Sequence, residues 1–292
     1  MIKIKTLLFV YLTFFPVNTI TAKPIVDKVA QLTFDGNYKY CPSWSPSGDK
    51  IAFSMKTDNN FDIYMLELKN PSSSVFQRIT YDEKIDGEPR WSPKGDKILF
   101  ESNRTGRWSI WCKNLIKQDE KILVPDGRTP SWFPDGKEFI FVKEIYQENR
   151  PVNVIWIKNI DTTSESLLFV DYDERMYPSC SGDGKKIAFL KSNNQNVEIW
   201  IADISTREQK MICLDGAYPT WSPDGKFIVF VTRGRNYNNI EVYNLETNER
   251  KMLVENFGHI RSPSWSPAGD KIAFISNRSG HYEIWLIALG VK

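Results

Sequence analysis

Residues Pro42-Ser43-Trp44-Ser45-Pro46-Ser47-Gly48-Asp49-Lys50-Ile51-Ala52-Phe53 decide the fold, because nearly the same stretch returns from Pro89, Pro130, Pro178, Pro219 and Pro263. The anchor positions are Trp44, Trp91, Trp132, Cys180, Trp221 and Trp265, 41 to 48 residues apart. Six such units nearly fill a chain of 292 residues and leave no room for a second domain. Pro-Ser-Trp-Ser reads as a first strand, a. Pro-x-Gly supplies a tight turn, in which Pro presets one dihedral and Gly accepts a positive φ, and Lys-Ile-Ala-Phe forms strand b.

Working outward, each unit continues through a polar loop, such as Ser102-Asn103-Arg104-Thr105-Gly106 or Ser276-Asn277-Arg278-Ser279-Gly280, into strand c. That strand shows in Asp62-Ile63-Tyr64, Glu198-Ile199-Trp200 and Glu283-Ile284-Trp285. Strand d follows around Ile79, Ile122, Leu168, Ile212 and Leu253. Four short strands per aromatic-rich unit predict an all-β, six-bladed β-propeller, whose blades must stack to bury two apolar faces each. The Trp or Cys anchors and the strand c aromatics read as packing between blades.

A sixth strand d is missing after Trp285. Leu32, in Val29-Ala30-Gln31-Leu32-Thr33, stands as far before Trp44 as Ile79 stands before Trp91. The segment is therefore expected to pair with the strand holding Ile284 and Trp285, so that the chain's two ends close the ring.

Composition narrows the function classes. With 38 Lys and Arg against 36 Asp and Glu, the chain lacks the basic excess that signals a nucleic-acid partner. Residues 1-22 read as a signal peptide: Lys3 and Lys5, an apolar run from Leu7 to Phe15, then Ile20-Thr21-Ala22 before Lys23. The run is too short to span a membrane. The expected product is one propeller domain, residues 23-292, with no membrane span in mature form. Cys41, Cys112, Cys180 and Cys213 lack metal-ligand spacing and read mainly as buried free thiols.

The unit Pro-Ser-Trp-Ser-Pro-x-Gly-Asp-Lys-Ile-Ala-Phe, followed by Ser-Asn-Arg-x-Gly and Glu-Ile-Trp, resembles the WD-like repeats of the TolB family, over roughly residues 29–292. The resemblance implies a six-bladed propeller in a periplasmic protein of the Tol-Pal envelope system, binding a peptidoglycan-associated lipoprotein. The α/β domain that precedes the propeller in TolB has no counterpart in the short segment before Val29.

Alternating strand direction sends the a-b and c-d turns to one face and the b-c and d-a loops to the other. The a-b turns are almost uniform, Ser-Pro-x-Gly in most repeats. The opposite loops vary, and variable loops on a rigid scaffold are where binding usually resides. The d-a segments are expected to gather Tyr40, Glu88, Arg90, Arg128, Tyr177, Tyr218, His259 and Arg261 around the channel mouth as a binding surface. Arg90 stands where other repeats carry Ser43, Ser131, Ser179, Thr220 and Ser264, and is expected to pair with Asp86 or Glu88. Arg233, Arg235 and Tyr237 read as a solvated loop.

No G-x-S-x-G elbow, phosphate loop, H-E-x-x-H or dinucleotide fingerprint is present. The expected function is a monomeric, exported protein-binding propeller, not an enzyme, with an envelope protein as partner and with no catalytic residue, metal or cofactor. A channel-mouth binder of envelope glycan or another small ligand is the alternative. A propeller lyase or hydrolase using channel carboxylates and His259 comes third.

Overall fold

A computed structural model describes residues 25–58, 60–69, 75–169, 174–192 and 196–290. The expected signal peptide and its cleavage site lie outside these residues. Twenty-four strands form six antiparallel sheets of four, with no helix among the described residues.

The first strand, β1 (Ile25–Gln31), belongs to the last blade. Blade 1 is β2 (Lys39–Trp44), β3 (Lys50–Thr57), β4 (Asn60–Glu67) and β5 (Gln77–Arg78). Blade 2 is β6 (Asp86–Trp91), β7 (Lys97–Ser102), β8 (Ser109–Asn114) and β9 (Glu120–Val124). Blade 3 is β10 (Gly127–Trp132), β11 (Glu138–Gln147), β12 (Arg150–Asn159) and β13 (Glu165–Leu167). Blade 4 is β14 (Glu174–Cys180), β15 (Lys186–Ser192), β16 (Val197–Asp203) and β17 (Gln209–Leu214). Blade 5 is β18 (Gly216–Trp221), β19 (Phe227–Arg233), β20 (Asn238–Asn244) and β21 (Arg250–Val254). Blade 6 is β22 (Ile260–Trp265), β23 (Lys271–Ser276) and β24 (Glu283–Gly290), completed by β1.

The closure is the expected one. β1 pairs with β24 from Ile25 opposite Gly290 to Gln31 opposite Trp285, and the Leu32 N–H then donates to the Ile284 carbonyl at 2.8 Å. Pairing starts at Ile25, four residues before the sequence signal at Val29. A buried polar knot fixes the join: the Thr33 hydroxyl donates to Glu283 at 2.5 Å, and the Lys39 ammonium donates to the same carboxylate at 2.9 Å. Such a buried ion pair adds little net stability, but removing one partner strands the other charge.

Six apolar clusters fill the six interfaces between neighbouring blades. Trp44 and Tyr64 of blade 1 pack with Ile275 and Ile284 of blade 6, and Trp132 of blade 3 packs with Leu99 and Ile110 of blade 2. Three anchor indoles also donate to the strand a carbonyl of the preceding blade: Trp44 to Ser264, Trp132 to Arg90 and Trp221 to Ser179, each at 3.1 Å. The anchors thus hold blade to blade, as their spacing implied. All four cysteines are free; Cys41, Cys112 and Cys213 are buried and Cys180 is half-buried.

The a-b turns repeat in detail. Gly48, Gly95, Gly136, Gly184, Gly225 and Gly269 all sit at φ between 67° and 74°. In blade 2 the Gly95 N–H donates to the Ser92 carbonyl at 2.9 Å, while the Ser92 hydroxyl accepts the Lys97 N–H at 3.0 Å and donates to Asp96 at 2.9 Å. Gly95 also meets Pro46 of the blade before it, where a Cβ would lie 3.2 Å from the ring. No side chain larger than hydrogen suits that position.

Candidate functional site

The inner strands share a feature that the repeat alignment does not announce. In each, the ladder to strand b shifts register once: between Tyr40 and Ser43, Gly87 and Arg90, Arg128 and Ser131, Met176 and Ser179, Ala217 and Thr220, Arg261 and Ser264. Each bulge holds a residue followed by Pro, which cannot donate to the ladder. The residue before Pro is Cys41, Glu88, Thr129, Tyr177, Tyr218 or Ser262, and its φ lies between 47° and 55°. None is glycine, although a left-handed backbone is costly for L side chains and the residue before proline normally stays extended.

These six positions form a ring around the central axis. Five of them, all but Cys41, line a cavity of about 130 Å³ together with the residues of the next tier. Cys41 donates to Glu88 Oε1 at 2.7 Å and lies 3.3 Å from the Ser262 hydroxyl. Across the ring, Tyr177 and Tyr218 meet edge to face at 5.0 Å. Burial raises the pKa of both phenols and of the Cys41 thiol, keeping all three protonated at neutral pH. Strand a runs from the d-a side towards the turns, so a second tier, nearer the turns, holds Ser43, Arg90, Ser131, Ser179, Thr220 and Ser264. Several of its hydroxyls stitch blades together: Ser43 accepts the Trp91 N–H at 3.2 Å, and Thr220 donates to the Pro263 carbonyl at 2.9 Å.

Arg90 interrupts that hydroxyl tier. Its guanidinium donates to Glu88 Oε2 at 2.9 Å and to the Pro89 carbonyl at 3.0 Å, and its side chain keeps 29% exposure into the cavity. Burial, the largest single influence, pulls its pKa down, but the acidic groups around it, Glu88 foremost, together outweigh that and raise it, so the charge is permanent. Glu88 is thus the partner. Asp86 goes instead to Arg104, at 2.6 Å.

Two acceptors behind the ring carry a signal that was available in the repeats. Ser54 accepts the Glu88 N–H at 3.1 Å, and Glu101 accepts the Thr129 N–H at 2.5 Å, each serving the bulge of the next blade. The equivalent residues in the other blades are Val142, Leu190, Val231 and Ile275. Glu101 is 1% exposed; burial and then the Glu88 charge push its pKa up to about 7, although Arg128 donates to it at 3.2 Å. A carboxylate at a position that is aliphatic in four of the six blades marks this sector of the ring as different.

The expected site residues divide into two groups. Glu88, Arg90, Tyr177 and Tyr218 come together in the cavity. Arg128 and Arg261 lie on the d-a side, outside it: Arg128 rests 4.9 Å over Trp108, and Arg261 lies 5.4 Å over Tyr282 while donating to the Tyr38 hydroxyl at 2.9 Å. His259 meets Tyr237 edge to face at 5.8 Å and borders a separate open hollow of about 330 Å³ with Arg233 and Arg235. Tyr40 is wedged between blades, bonded to Ser54, with its hydroxyl where a Cβ on Gly87 would lie 1.9 Å away. One placement is corrected: all of these except His259 stand on strand a itself and not in d-a loops, because the bulge lets the strand begin earlier than the Pro-Ser-Trp signal suggests.

The TolB beta propeller domain matches residues 27–175 and again 153–292. The chain belongs to the TolB beta-propeller family. No curated protein matches its sequence. Among solved structures, a putative TolB from Agrobacterium tumefaciens is similar with a TM-score of 0.69 at 18% identity, covering 90% of this chain and 97% of that one. TolB from Acinetobacter baumannii gives 0.66 at 18% identity, covering 87% of this chain and 64% of that one. An oligogalacturonate lyase from Vibrio parahaemolyticus gives 0.66 at 14% identity, covering 91% and 96%. Identities this low report a shared fold, which hosts both TolB proteins and a lyase.

Proposed function

We propose that this TolB-like propeller is an exported, periplasmic envelope module that binds a partner protein on the d-a and b-c loop face, and that it is not an enzyme. The observation that carries the reading is a set of pre-stacked pairs on that face: Arg128 over Trp108, Arg261 over Tyr282 and His259 against Tyr237. Arg, Trp and Tyr dominate binding hot spots, and a side chain already held against an aromatic ring loses little freedom when a partner lands on it. The opposite face offers the glycine turns, whose residues answer to backbone geometry.

The channel carboxylates favour binding over catalysis. Glu88 directs one oxygen to Cys41 and the other to Arg90, and Glu101 accepts from Thr129 and Arg128. Neither is presented as a free acid or base. No helix among the described residues is long and apolar enough to cross a membrane.

A pull-down from envelope extract tests the reading, with a peptidoglycan-associated lipoprotein as the first candidate that the family suggests. The expected result is one envelope protein retained by the wild type, with affinity falling about fivefold to a hundredfold in Arg128→Ala and Arg261→Ala. Equal retention by both variants would move the surface elsewhere. Turnover of an envelope glycan by the purified protein, lost on His259→Ala, would replace the binding reading with an enzymatic one.

A further inference from the structure

We infer that the central cavity is a carboxylate site, with the Arg90 guanidinium as its anchor and the Tyr177–Tyr218 pair as its apolar wall. The site lies apart from the stacked pairs of the loop face and does not depend on them.

Three observations carry it. The first is a break in sixfold repetition: at the second tier five blades place a hydroxyl, and blade 2 alone places Arg90. A guanidinium has five N–H donors, and two appear in bonds among the described residues, to Pro89 and Glu88. The fork keeps donors for a further acceptor, and its side chain is partly open to the cavity. The second is charge. Glu88 already neutralises Arg90 to first order, so the site offers directed donors and little net positive charge, which suits a planar monoanion better than a doubly charged phosphate; Glu88 takes the guanidinium through Oε2 alone, leaving room for a bidentate acceptor. The thiol of Cys41 holds the other Glu88 oxygen, turning that carboxylate away from direct competition.

The third observation is shape. In a ring of six, blade 2 faces blade 5, so Tyr218 and its neighbour Tyr177 stand across the cavity from Arg90. Their edge-to-face rings give an apolar surface for the body of a ligand, and the hydroxyls of Ser131, Ser179 and Ser264 complete a polar belt at the same level as Arg90. About 130 Å³ admits a small acid or the terminal residue of a chain, not a folded element. The carboxylate could belong to a free hydroxy acid or to a peptide C-terminus, and the test separates them.

Calorimetric titration of the full chain would use glycerate against glycerol, and trialanine against trialaninamide. The site predicts binding of at least one carboxylate and at least tenfold weaker binding of its neutral counterpart; glycerate alone marks a small-acid site, trialanine alone a peptide-end site. Arg90→Ser, which installs the residue found in most other blades, should weaken the bound carboxylate at least tenfold. Arg90→Lys, a point charge without the fork, should fall between. Independently of any variant, the bound carboxylate should protect Arg90 of the wild type from a dicarbonyl reagent, read by mass spectrometry. Equal affinity in Arg90→Ser, equal binding of acid and neutral analogue, or no binding and no protection by either acid at high millimolar concentration would each overturn the inference.

Discussion

Two rings in this propeller share a backbone problem and solve it differently. At the a-b turns and at the inner-strand bulges, six residues each adopt positive φ, at similar angles. All six turn residues are glycine, the residue for which that conformation is cheap. None of the six bulge residues is, and they are Cys41, Glu88, Thr129, Tyr177, Tyr218 and Ser262. The turn ring is therefore tuned to the fold, while the bulge ring carries backbone strain to keep side chains around the axis. Strain that persists around a cavity is a pointer to function.

The most damaging way to break the comparison is to remove an anchor on which both rings depend. Trp132→Ala deletes a side chain that fills the interface of blades 2 and 3 and donates to the Arg90 carbonyl. It should cost about 3–5 kcal/mol in urea unfolding. A cost below about 1 kcal/mol would mean that the anchors do not hold the blades.

A second test asks whether the polar sector of the inner ring is a liability to the fold. Glu101 has a folded-state pKa raised from 4.5 to about 7, by burial above all. Its native carboxyl binds a proton more strongly than the unfolded one, so its favourable contribution is complete below about pH 4.5 and is lost as pH rises through 7. Relative to Glu101→Gln, the wild type should lose on the order of 1–3 kcal/mol between pH 5 and pH 8. Parallel stability curves for the two proteins would contradict this.

A third test sharpens the turn side. Gly95→Ala adds a Cβ at φ 74°, 3.2 Å from Pro46, and should cost about 1–2 kcal/mol by thermal melting without altering affinity for any ligand. A change in affinity would show that the turn ring also takes part in binding.

The two rings also explain what could be read in the sequence. Pro-x-Gly followed by Asp-Lys-Ile-Ala-Phe states its own geometry, since turn chemistry and strand alternation act over a few residues. Returning in closely related form in six units, with Gly182 in place of Pro in the fourth, it sets the blade number and leaves Val29 to Thr33 as the strand that closes the ring. The bulges were harder to see because a positive φ at Thr129 or Tyr177 has no sequence mark unless glycine occupies it. Only the recurrent residue-Pro pair hinted at them, and so the inner-strand residues looked like loop residues. Arg90 was legible as an odd residue among hydroxyls, and Glu101 could have been found the same way among Val142, Leu190, Val231 and Ile275. What no alignment of repeats conveys is the tier each side chain reaches: Arg90 and Tyr177 share the cavity, while Arg128 and Arg261 stack outside it.

The contrast between the rings is tested most directly within blade 3, where one hairpin contains a member of each. Thr129 is β-branched at φ 47°, and its hydroxyl is buried without a hydrogen-bond partner among the described residues; Gly136 sits at φ 67° in the turn that follows. Unfolding free energies of Thr129→Gly and Gly136→Ala should change in opposite directions, the first rising by about 0.5–1 kcal/mol and the second falling by about 1–2 kcal/mol. If Thr129→Gly instead destabilises the protein as much as Gly136→Ala does, the bulge side chains serve the fold, and the claim that they are kept for binding is wrong.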